Sequence, residues 1–292
     1  MASLVTVSFD LGALDPAEAD SACFACGAAA VSYSDARDQP VLEPLPGEVR
    51  LWPATRLTAL FVDAGDPDAL AGALAAALAL PPGLLSAALL PDRAWEREWL
   101  RDFHAMRFGE RLWVCPRHER VADPAAVIVT LDPGLAFGTG THPSTALCLT
   151  YLDAHLARGA RAIDYGCGSG VLALASAKLG AAEVHCFDID AQALLATREN
   201  ALENGVADLV HVHGDAAELP TGVDVLMANI LSSPLCALAP RFAQLVRPGG
   251  EAVLAGLMRH EVRDVTGAYA AWFDVEGCGE RGDWACLRAR RR

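Results

Sequence analysis

The sequence contains a single lysine, Lys178, among its 23 lysine and arginine residues. A P-loop requires a lysine directly after a glycine, and Lys178 follows Ala177 in an apolar segment, so the chain lacks this phosphate site. It also lacks an excess of positive charge, because 37 acidic residues give a formal net charge of −14. Proteins that wrap a nucleic-acid backbone need basic surface, and we therefore expect no direct nucleic-acid binding.

Long apolar runs are missing as well. The stretch 69–90 is interrupted by Gly72, Pro81, Pro82 and Gly83, and no run reaches the ~18 residues of a membrane span. The opening residues MASL have neither the basic region nor the long apolar core of a signal peptide. Nine cysteines scattered through apolar segments fit reduced, buried thiols. We expect a cytoplasmic protein without membrane contact.

Metal-binding patterns are also lacking. Cys23 and Cys26 form one C-x-x-C, but no second pair and no nearby histidine accompanies it. The chain has no H-E-x-x-H motif and no paired carboxylates with ligand spacing. His211 and His213 alternate on a predicted strand and are interpreted as packing or edge residues. We expect no metal cofactor.

The sequence of residues 1–90 predicts strands and helices in the order β-α-β-β-α-β. Aspartate-proline pairs at Asp15 and Asp66 are typical helix starts. Strands are expected over 4–9, 29–33, 56–62 and 84–90. This order favours a small ferredoxin-like α+β domain. Residues 91–123, with Trp95 and Trp99 on a predicted helix over 91–104, are interpreted as a linker helix and connector.

Residues 124–292 alternate strand and helix in the manner of an α/β doubly wound sheet. Asp190 is placed to cap one helix, and Asn204-Gly205 to end it. Strands are expected over 161–164, 183–188, 209–213, 223–229 and 251–257, followed by an antiparallel pair over 273–277 and 284–288. With 53% hydrophobic content in 292 residues, the chain can bury two cores.

The run D-Y-G-C-G-S-G at 164–170 predicts a sharp strand-to-helix turn. Gly166 and Gly168 let backbone amides approach a ligand closely. Asp188, 22 residues after Gly166, ends the next predicted strand and can accept hydrogen bonds from both ribose hydroxyls. Val171 replaces the third glycine of the dinucleotide fingerprint. The pattern is typical of S-adenosylmethionine methyltransferases; other doubly wound folds and a structural glycine turn stay as alternatives.

A loop rich in glycine and hydroxyl groups, 131–145, precedes a helix predicted over 145–156. It can close over a cofactor and present the hydroxyls of Thr141 and Thr145; the alternative is a surface turn with Ser144 or Thr145 as helix cap. For His142, a role in capping the helix or supporting the site is favoured at least as much as a role in proton transfer. Asp215, just after a predicted strand, can reach an adenine amino group or a helix start.

These segments, together with Ala228-Asn229-Ile230-Leu231, resemble the bacterial methyltransferases that modify ribosomal protein L11. The similarity covers most of the chain and includes 107–116, 238–240 and 247–250. It implies a class I methyltransferase domain with a Rossmann-like doubly wound sheet over 124–292, S-adenosyl-L-methionine as cofactor, and a ferredoxin-like domain that recognises the ribosomal protein. The cofactor contacts that it implies are Thr145, Gly166, Asp188 and Asn229.

Two departures from this family concern the loop and the connector. Ser144 stands where a threonine is more usual, which exchanges one hydroxyl for another. Arg117-His118 follows Pro116 where the family tends to have a tryptophan nearby. The second departure leaves the docking of the protein substrate open.

Asn229, at the end of a predicted strand, is the expected catalytic residue. Methyl transfer to an amine is an in-line displacement, so the enzyme mainly aligns donor and acceptor. A lysine amine, with a pKa of about 10.4, attacks only when neutral. The amide oxygen of Asn229, with backbone carbonyls, can hold the amine with its lone pair facing the methyl group. The alternative is that Asn229 satisfies a turn.

The leading hypothesis is a monomeric, S-adenosylmethionine-dependent protein N-methyltransferase. The acceptors would be lysine side chains of ribosomal protein L11 and, in addition, its N-terminal amine. A methyltransferase for another protein or a small amine is one alternative, and a non-catalytic cofactor-binding protein is another. Thr145, Asp188 and Asn229 together argue against the latter, because a decayed site would be expected to lose at least one of them.

Overall fold

The computed structural model describes residues 4–37, 51–62, 65–90, 103–132 and 140–292. The chain divides into two compact units, Met1–Glu96 and Arg97–Arg292. Trp95 and Trp99 of the predicted linker helix lie outside the described residues. Within the described ranges, no helix combines the length and hydrophobicity that a membrane crossing requires.

The first unit is an antiparallel sheet with two helices, and this confirms the predicted ferredoxin-like order. Its elements are β1 (Leu4–Asp10), α1 (Pro16–Ala25), β2 (Ala30–Asp35), β3 (Thr55–Val62), α2 (Pro67–Ala77) and β4 (Ser86–Leu90). The strand order is β2-β3-β1-β4. The carboxylates of Asp15 and Asp66 accept hydrogen bonds from the first helical amides, as predicted. Alternate residues of β1 are buried against the helices, which gives this unit its own core.

A three-stranded sheet opens the described part of the second unit, which the sequence did not predict. It consists of β5 (Met106–Phe108), β6 (Leu112–Cys115) and β7 (Val127–Thr130). Strand β6 pairs with β5 antiparallel and with β7 parallel. Residues 106–115 were interpreted as part of a connector, but their buried side chains join the core of the second unit.

The main sheet of the second unit has seven strands in the order β10-β9-β8-β11-β12-β14-β13. The strands are β8 (Arg161–Tyr165), β9 (Glu183–Phe187), β10 (Val210–His213), β11 (Val223–Asn229), β12 (Val246–Met258), β13 (Phe273–Arg281) and β14 (Trp284–Arg291). The first five strands are parallel, and β14 and β13 close the sheet antiparallel, as predicted. The chain order reverses between β8 and β11, where doubly wound folds bind their ligands.

Helices cover both faces of this sheet. They are α3 (Pro143–His155), α4 (Val171–Leu179), α5 (Ala191–Glu203), α6 (Ser232–Leu245) and α7 (Val262–Tyr269). Helices α3, α4 and α5 share one core with the sheet, and α6 and α7 share the other. Asp190 caps α5 and Gly205, with φ of 65°, follows its end, as predicted.

The crossover from β10 to β11 carries only a 3-10 turn, Ala216–Glu218, where the neighbouring crossovers carry α-helices. Helix α5 packs on one face of β10. On the opposite face, the side chains of Glu183, His185, His211 and His213 are partly or fully exposed. The fold therefore leaves a polar face at this edge of the sheet that the β10–β11 crossover does not cover with an α-helix, although His185 and His213 are mostly buried.

Candidate active site

A cavity of 630 Å³ lies at the carboxyl ends of β8, β9 and β11. Its volume falls within the range of about 300–1,000 Å³ that is usual for small-molecule sites. Five predicted residues line it: Thr145, Gly166, Gly168, Asp188 and Asn229. The structure thus gathers residues that are up to 84 positions apart in the sequence.

Glycine in the turn after β8 is needed for packing within the protein as well as for the close approach of a ligand. Gly166 has a φ of 81°, and its amide donates to the Phe187 carbonyl at 2.7 Å. A Cβ on Gly166 would lie 2.4 Å from Cγ2 of Ile230, the residue after Asn229. Packing within the protein therefore requires a glycine at position 166, and both Gly166 and Gly168, which has a φ of 54°, line the cavity.

Asp188 directly follows β9, and two amides hold its carboxylate. The Gly168 amide donates to Oδ2 at 2.9 Å, and the Asp190 amide donates to Oδ1 at 3.0 Å. A carboxylate offers about four lone-pair positions, so about two remain for further donors. Asp190 is turned to the helix instead, where its Oδ1 accepts from the Gln192 amide. Asp188 is thus placed to accept from a pair of ligand hydroxyls.

Asp164, near the end of β8, is a fully buried carboxyl next to this site. Its Oδ2 accepts from the Ala173 amide at 3.0 Å, whereas Oδ1 is buried and has no hydrogen-bond partner among the described residues. Burial, together with the charge of Asp188, raises the pKa of Asp164 to about 7. A nearby cationic ligand group would favour its ionised form.

The side chain of Asn229, the last residue of β11, is held by helix α3. Its Nδ2 donates to Oγ1 of Thr145 at 3.0 Å. Thr145 is only 1% exposed. This bond leaves the amide oxygen Oδ1 of Asn229 available to a donor from a ligand.

His142 caps α3, which decides between the roles considered for it. Its Nδ1 lies 2.7 Å from Oγ of Ser144 and accepts from the Ser144 amide. Its ring packs edge-on against Trp284, and burial lowers the pKa of His142. In the alternative of a surface turn, Ser144 or Thr145 was expected to cap the helix, but both residues are buried inside it. Residues 133–139 of the predicted cofactor loop lie outside the described part of the chain.

The sequence left two roles open for Asp215, a contact with an adenine amino group and a helix start. The structure shows it at a helix start. Its carboxylate accepts from the Ala217 amide at 2.8 Å and caps the 3-10 turn. Asp215 is not among the described residues that line the cavity. Its contact with the cofactor stays a prediction.

Two exposed apolar residues at the cavity were not among the predicted site residues. Ile189, between Asp188 and Asp190, is 94% exposed, and Leu231 is 51% exposed. The signal that could have identified Ile189 is its position as a large apolar residue between two aspartates at the end of a strand. Exposed apolar side chains at a cavity rim can cover a flat ligand ring.

A second group of potential ligands lies outside the cavity, on β9 and β10. One donor atom each from Glu183, His185 and His211 lies within 4.8 Å of the others. Burial lowers the pKa of His185. Motif searching missed this group because its members come from two strands.

Comparison with known proteins agrees with the resemblance. A family model described as ribosomal protein L11 methyltransferase (PrmA) matches residues 7–292. The chain is 48% identical over 270 residues to the protein of that name from Alkalilimnicola ehrlichii, covering 92% of both chains. It is 46% identical over 292 residues to that of Methylococcus capsulatus, covering 99% of this chain and 98% of the relative.

A solved structure supports the same assignment. The ribosomal protein L11 methylase from Lactobacillus delbrueckii subsp. bulgaricus superposes with a TM-score of 0.60 and 28% identity, covering 65% of this chain and all of the other. The second unit has a class I methyltransferase fold, and the enzyme is an S-adenosyl-L-methionine-dependent methyltransferase. The chain belongs to the ribosomal protein L11 methyltransferase family.

Proposed function

We propose that this enzyme transfers methyl groups from S-adenosyl-L-methionine to amino groups of ribosomal protein L11. The acceptors are lysine side chains and the N-terminal amine, and the enzyme works as a cytoplasmic monomer. The observation that carries the proposal is the Asn229 amide, fixed by Thr145 in the same cavity as Asp188. The names of the relatives support the choice of protein substrate.

The residues of the cavity fit the cofactor. The unused lone pairs of Asp188 match the two ribose hydroxyls. Helix α4 starts at the cavity with Gly170 as N-cap. Its Val171 and Ala173 amides donate to Ser169 Oγ and Asp164 Oδ2, and the partial positive charge of the helix N-terminus favours a ligand carboxylate nearby. Ile189 and Leu231 offer apolar cover for the adenine ring. The bound cofactor supplies a methyl group on a sulfonium, which an amine can displace in line.

Asn229 positions the acceptor in this proposal. Its Nδ2 is committed to Thr145, so Oδ1 accepts a hydrogen bond from the incoming amine and aims the nitrogen lone pair into the cavity. An amide oxygen is not a base at neutral pH, and the amine loses its proton to water before attack. The mostly apolar lining of the cavity disfavours the charged ammonium and so lowers its pKa.

The first unit is proposed to recognise the protein substrate. In this division, residues 1–90 bind ribosomal protein L11, residues 91–123 present it, and residues 124–292 carry out the transfer. The first unit has its own sheet and core, which is what an independent binding domain requires.

Incubation with methyl-labelled cofactor and a complete set of purified ribosomal proteins tests the proposal. We expect the label in ribosomal protein L11, at lysines and at the N-terminal amine. A parallel reaction with free lysine in place of the proteins is the control and should stay unlabelled. Labelling of free lysine or of another ribosomal protein, with L11 unlabelled, would refute the proposed substrate.

A further inference from the structure

The polar face of the β9–β10 edge carries four polar side chains, the edge cluster: Glu183, His185, His211 and His213. Strands β9 and β10 run parallel, and His185 pairs directly with His211. Glu183 and His213 lie two residues along their strands and therefore point to the same face. The register, not the spacing within either strand, brings the cluster together.

Hydrogen bonds across the cluster orient His185. Its Nδ1 lies 2.9 Å from Nε2 of His213, and Nδ1 of His213 lies 3.5 Å from Oε2 of Glu218. Glu218 and Glu183 each lie 3.5 Å from a ring nitrogen, so the geometry allows two tautomer pairs, and in one of them the proton of His213 is on Nδ1 beside Glu218. The Nε2 atom of His213 then accepts from Nδ1 of His185. This arrangement leaves Nε2 of His185 as an unprotonated nitrogen with a free lone pair.

That nitrogen has no partner for its lone pair. Nε2 of His185 is buried and makes no hydrogen bond to any described residue. It faces Oε1 of Glu183 at 3.5 Å, so a lone pair is directed at a carboxylate oxygen. In this tautomer two acceptors face each other, and either a shift of the proton to Nε2 of His185 or a cation bound between the two atoms removes their repulsion. The exposed ring of His211 offers a third donor atom, with all three within 4.8 Å.

We propose that Glu183, His185 and His211 bind a divalent transition-metal ion, with Zn²⁺ as the best fit. Two imidazoles and one carboxylate are ligands that zinc accepts, with water in the fourth position. Tetrahedral zinc holds such atoms at about 2.0–2.1 Å, so neighbouring ligand atoms lie about 3.3 Å apart. The exposed side chain of His211 can rotate to close the remaining gap to the partly buried Glu183.

The surroundings supply the outer contacts that such sites use. A metal-bound histidine usually donates its other ring N–H to a second group, and here His213 is that group for His185. Arg161 competes for the carboxylate, because its Nε lies 2.5 Å from Oε1 of Glu183. The ion would tie the edge strand β10 to β9, outside the methyl-transfer cavity, and so stabilise the sheet edge.

Titration of metal-stripped, tag-free protein with Co²⁺, followed by absorption spectroscopy and competition with Zn²⁺, tests the site. The protein has nine cysteines, and a thiolate-to-cobalt charge-transfer band would reveal binding to them. We expect one equivalent with d–d bands and no thiolate band. His185→Ala and His211→Ala should each weaken binding at least about tenfold. His260→Ala, at an exposed histidine elsewhere, is the control and should bind normally.

Two further variants separate a metal site from a structural cluster. Arg161→Gln removes the competing cation, so it should bind Co²⁺ more tightly than the wild type. Zn²⁺ at about one hundred times its Kd should raise the Tm by about 5–10 °C in the wild type and leave His211→Ala unchanged. His211 is exposed, so this variant should fold. Absence of binding, a thiolate band, or equal affinity in the wild type and both histidine variants would overturn the proposal.

Discussion

Asn229 and Thr145 are joined by a hydrogen bond of 3.0 Å that links the tip of β11 to the first turn of α3. The two residues are 84 positions apart, and Thr145 is almost completely buried. The bond gives the Asn229 amide one orientation, with the nitrogen bonded inside the protein and the oxygen free for a substrate. An amine bound in the cavity would therefore meet an acceptor that is already aligned.

Thr145→Val tests this orientation, since it keeps the shape of the side chain and removes the hydroxyl. The Asn229 nitrogen then loses its acceptor, and we expect kcat to fall at least about tenfold. Thr145→Ser keeps the hydroxyl and is the matched control, which should retain most of the turnover. Steady-state kinetics with ribosomal protein L11 measure both. Equal turnover in the two variants would show that the hydrogen bond does not position Asn229.

Asp188→Asn should weaken cofactor binding by about ten- to a hundredfold, because one acceptor oxygen, with its two lone-pair positions, and the negative charge are lost. Calorimetric titration with S-adenosylhomocysteine measures this. Asp190→Asn makes the same charge change two residues away, at a helix cap that asparagine serves equally well. The control should therefore bind like the wild type. Comparable losses in both variants would indicate a general charge effect and contradict the ribose contact.

The pKa of Asp164 leads to a stability prediction. Burial raises this pKa in the folded protein to about 7, from an ordinary value of 3.8. Between these values the folded protein keeps a proton that the unfolded chain has released. The free energy of unfolding should therefore fall as pH rises from about 4 to 7, by up to about 1 kcal/mol per pH unit from this group, and level off above pH 7.

Urea unfolding of the wild type and Asp164→Asn at a series of pH values from 5 to 8 checks this. The asparagine variant cannot titrate, so the difference between the two unfolding free energies should change with pH up to about 7 and then stay constant. Parallel curves across the whole range would mean that Asp164 is ionised throughout.

Removal of residues 1–90 should abolish methylation of ribosomal protein L11 while cofactor binding is retained. The reason is that the cofactor residues and both cores of the main sheet belong to the second unit. Label transfer and cofactor titration on the shortened enzyme provide the two readouts. If the shortened enzyme methylates the protein at the full rate, the first unit does not recognise it.

Local signals explain why much of the fold could be predicted. Aspartate caps at Asp15, Asp66 and Asp190 act within three residues, so the sequence alone shows them. The strands of the main sheet are strongly apolar, and parallel strands place their carboxyl ends at one edge. Asp188 and Asn229 could therefore be assigned to one site.

Contacts between distant segments explain the rest. The short strands β5 to β7 are stabilised by pairing and by the shared core, and three or four residues carry too little pattern to predict them. His142 is the N-cap of α3, and its ring nitrogen takes the place of the usual hydroxyl or carboxylate. The edge cluster depends on the register between β9 and β10, which the alternation of side chains within a single strand does not specify.

The most direct test of the account is Asn229→Ala, measured for cofactor affinity and for turnover on ribosomal protein L11 in the same preparation. If Asn229 aligns the acceptor amine, the affinity for S-adenosylmethionine should stay within about an order of magnitude while kcat falls far more. Equal losses of affinity and turnover, or an unchanged kcat, would contradict the role of Asn229 in methyl transfer.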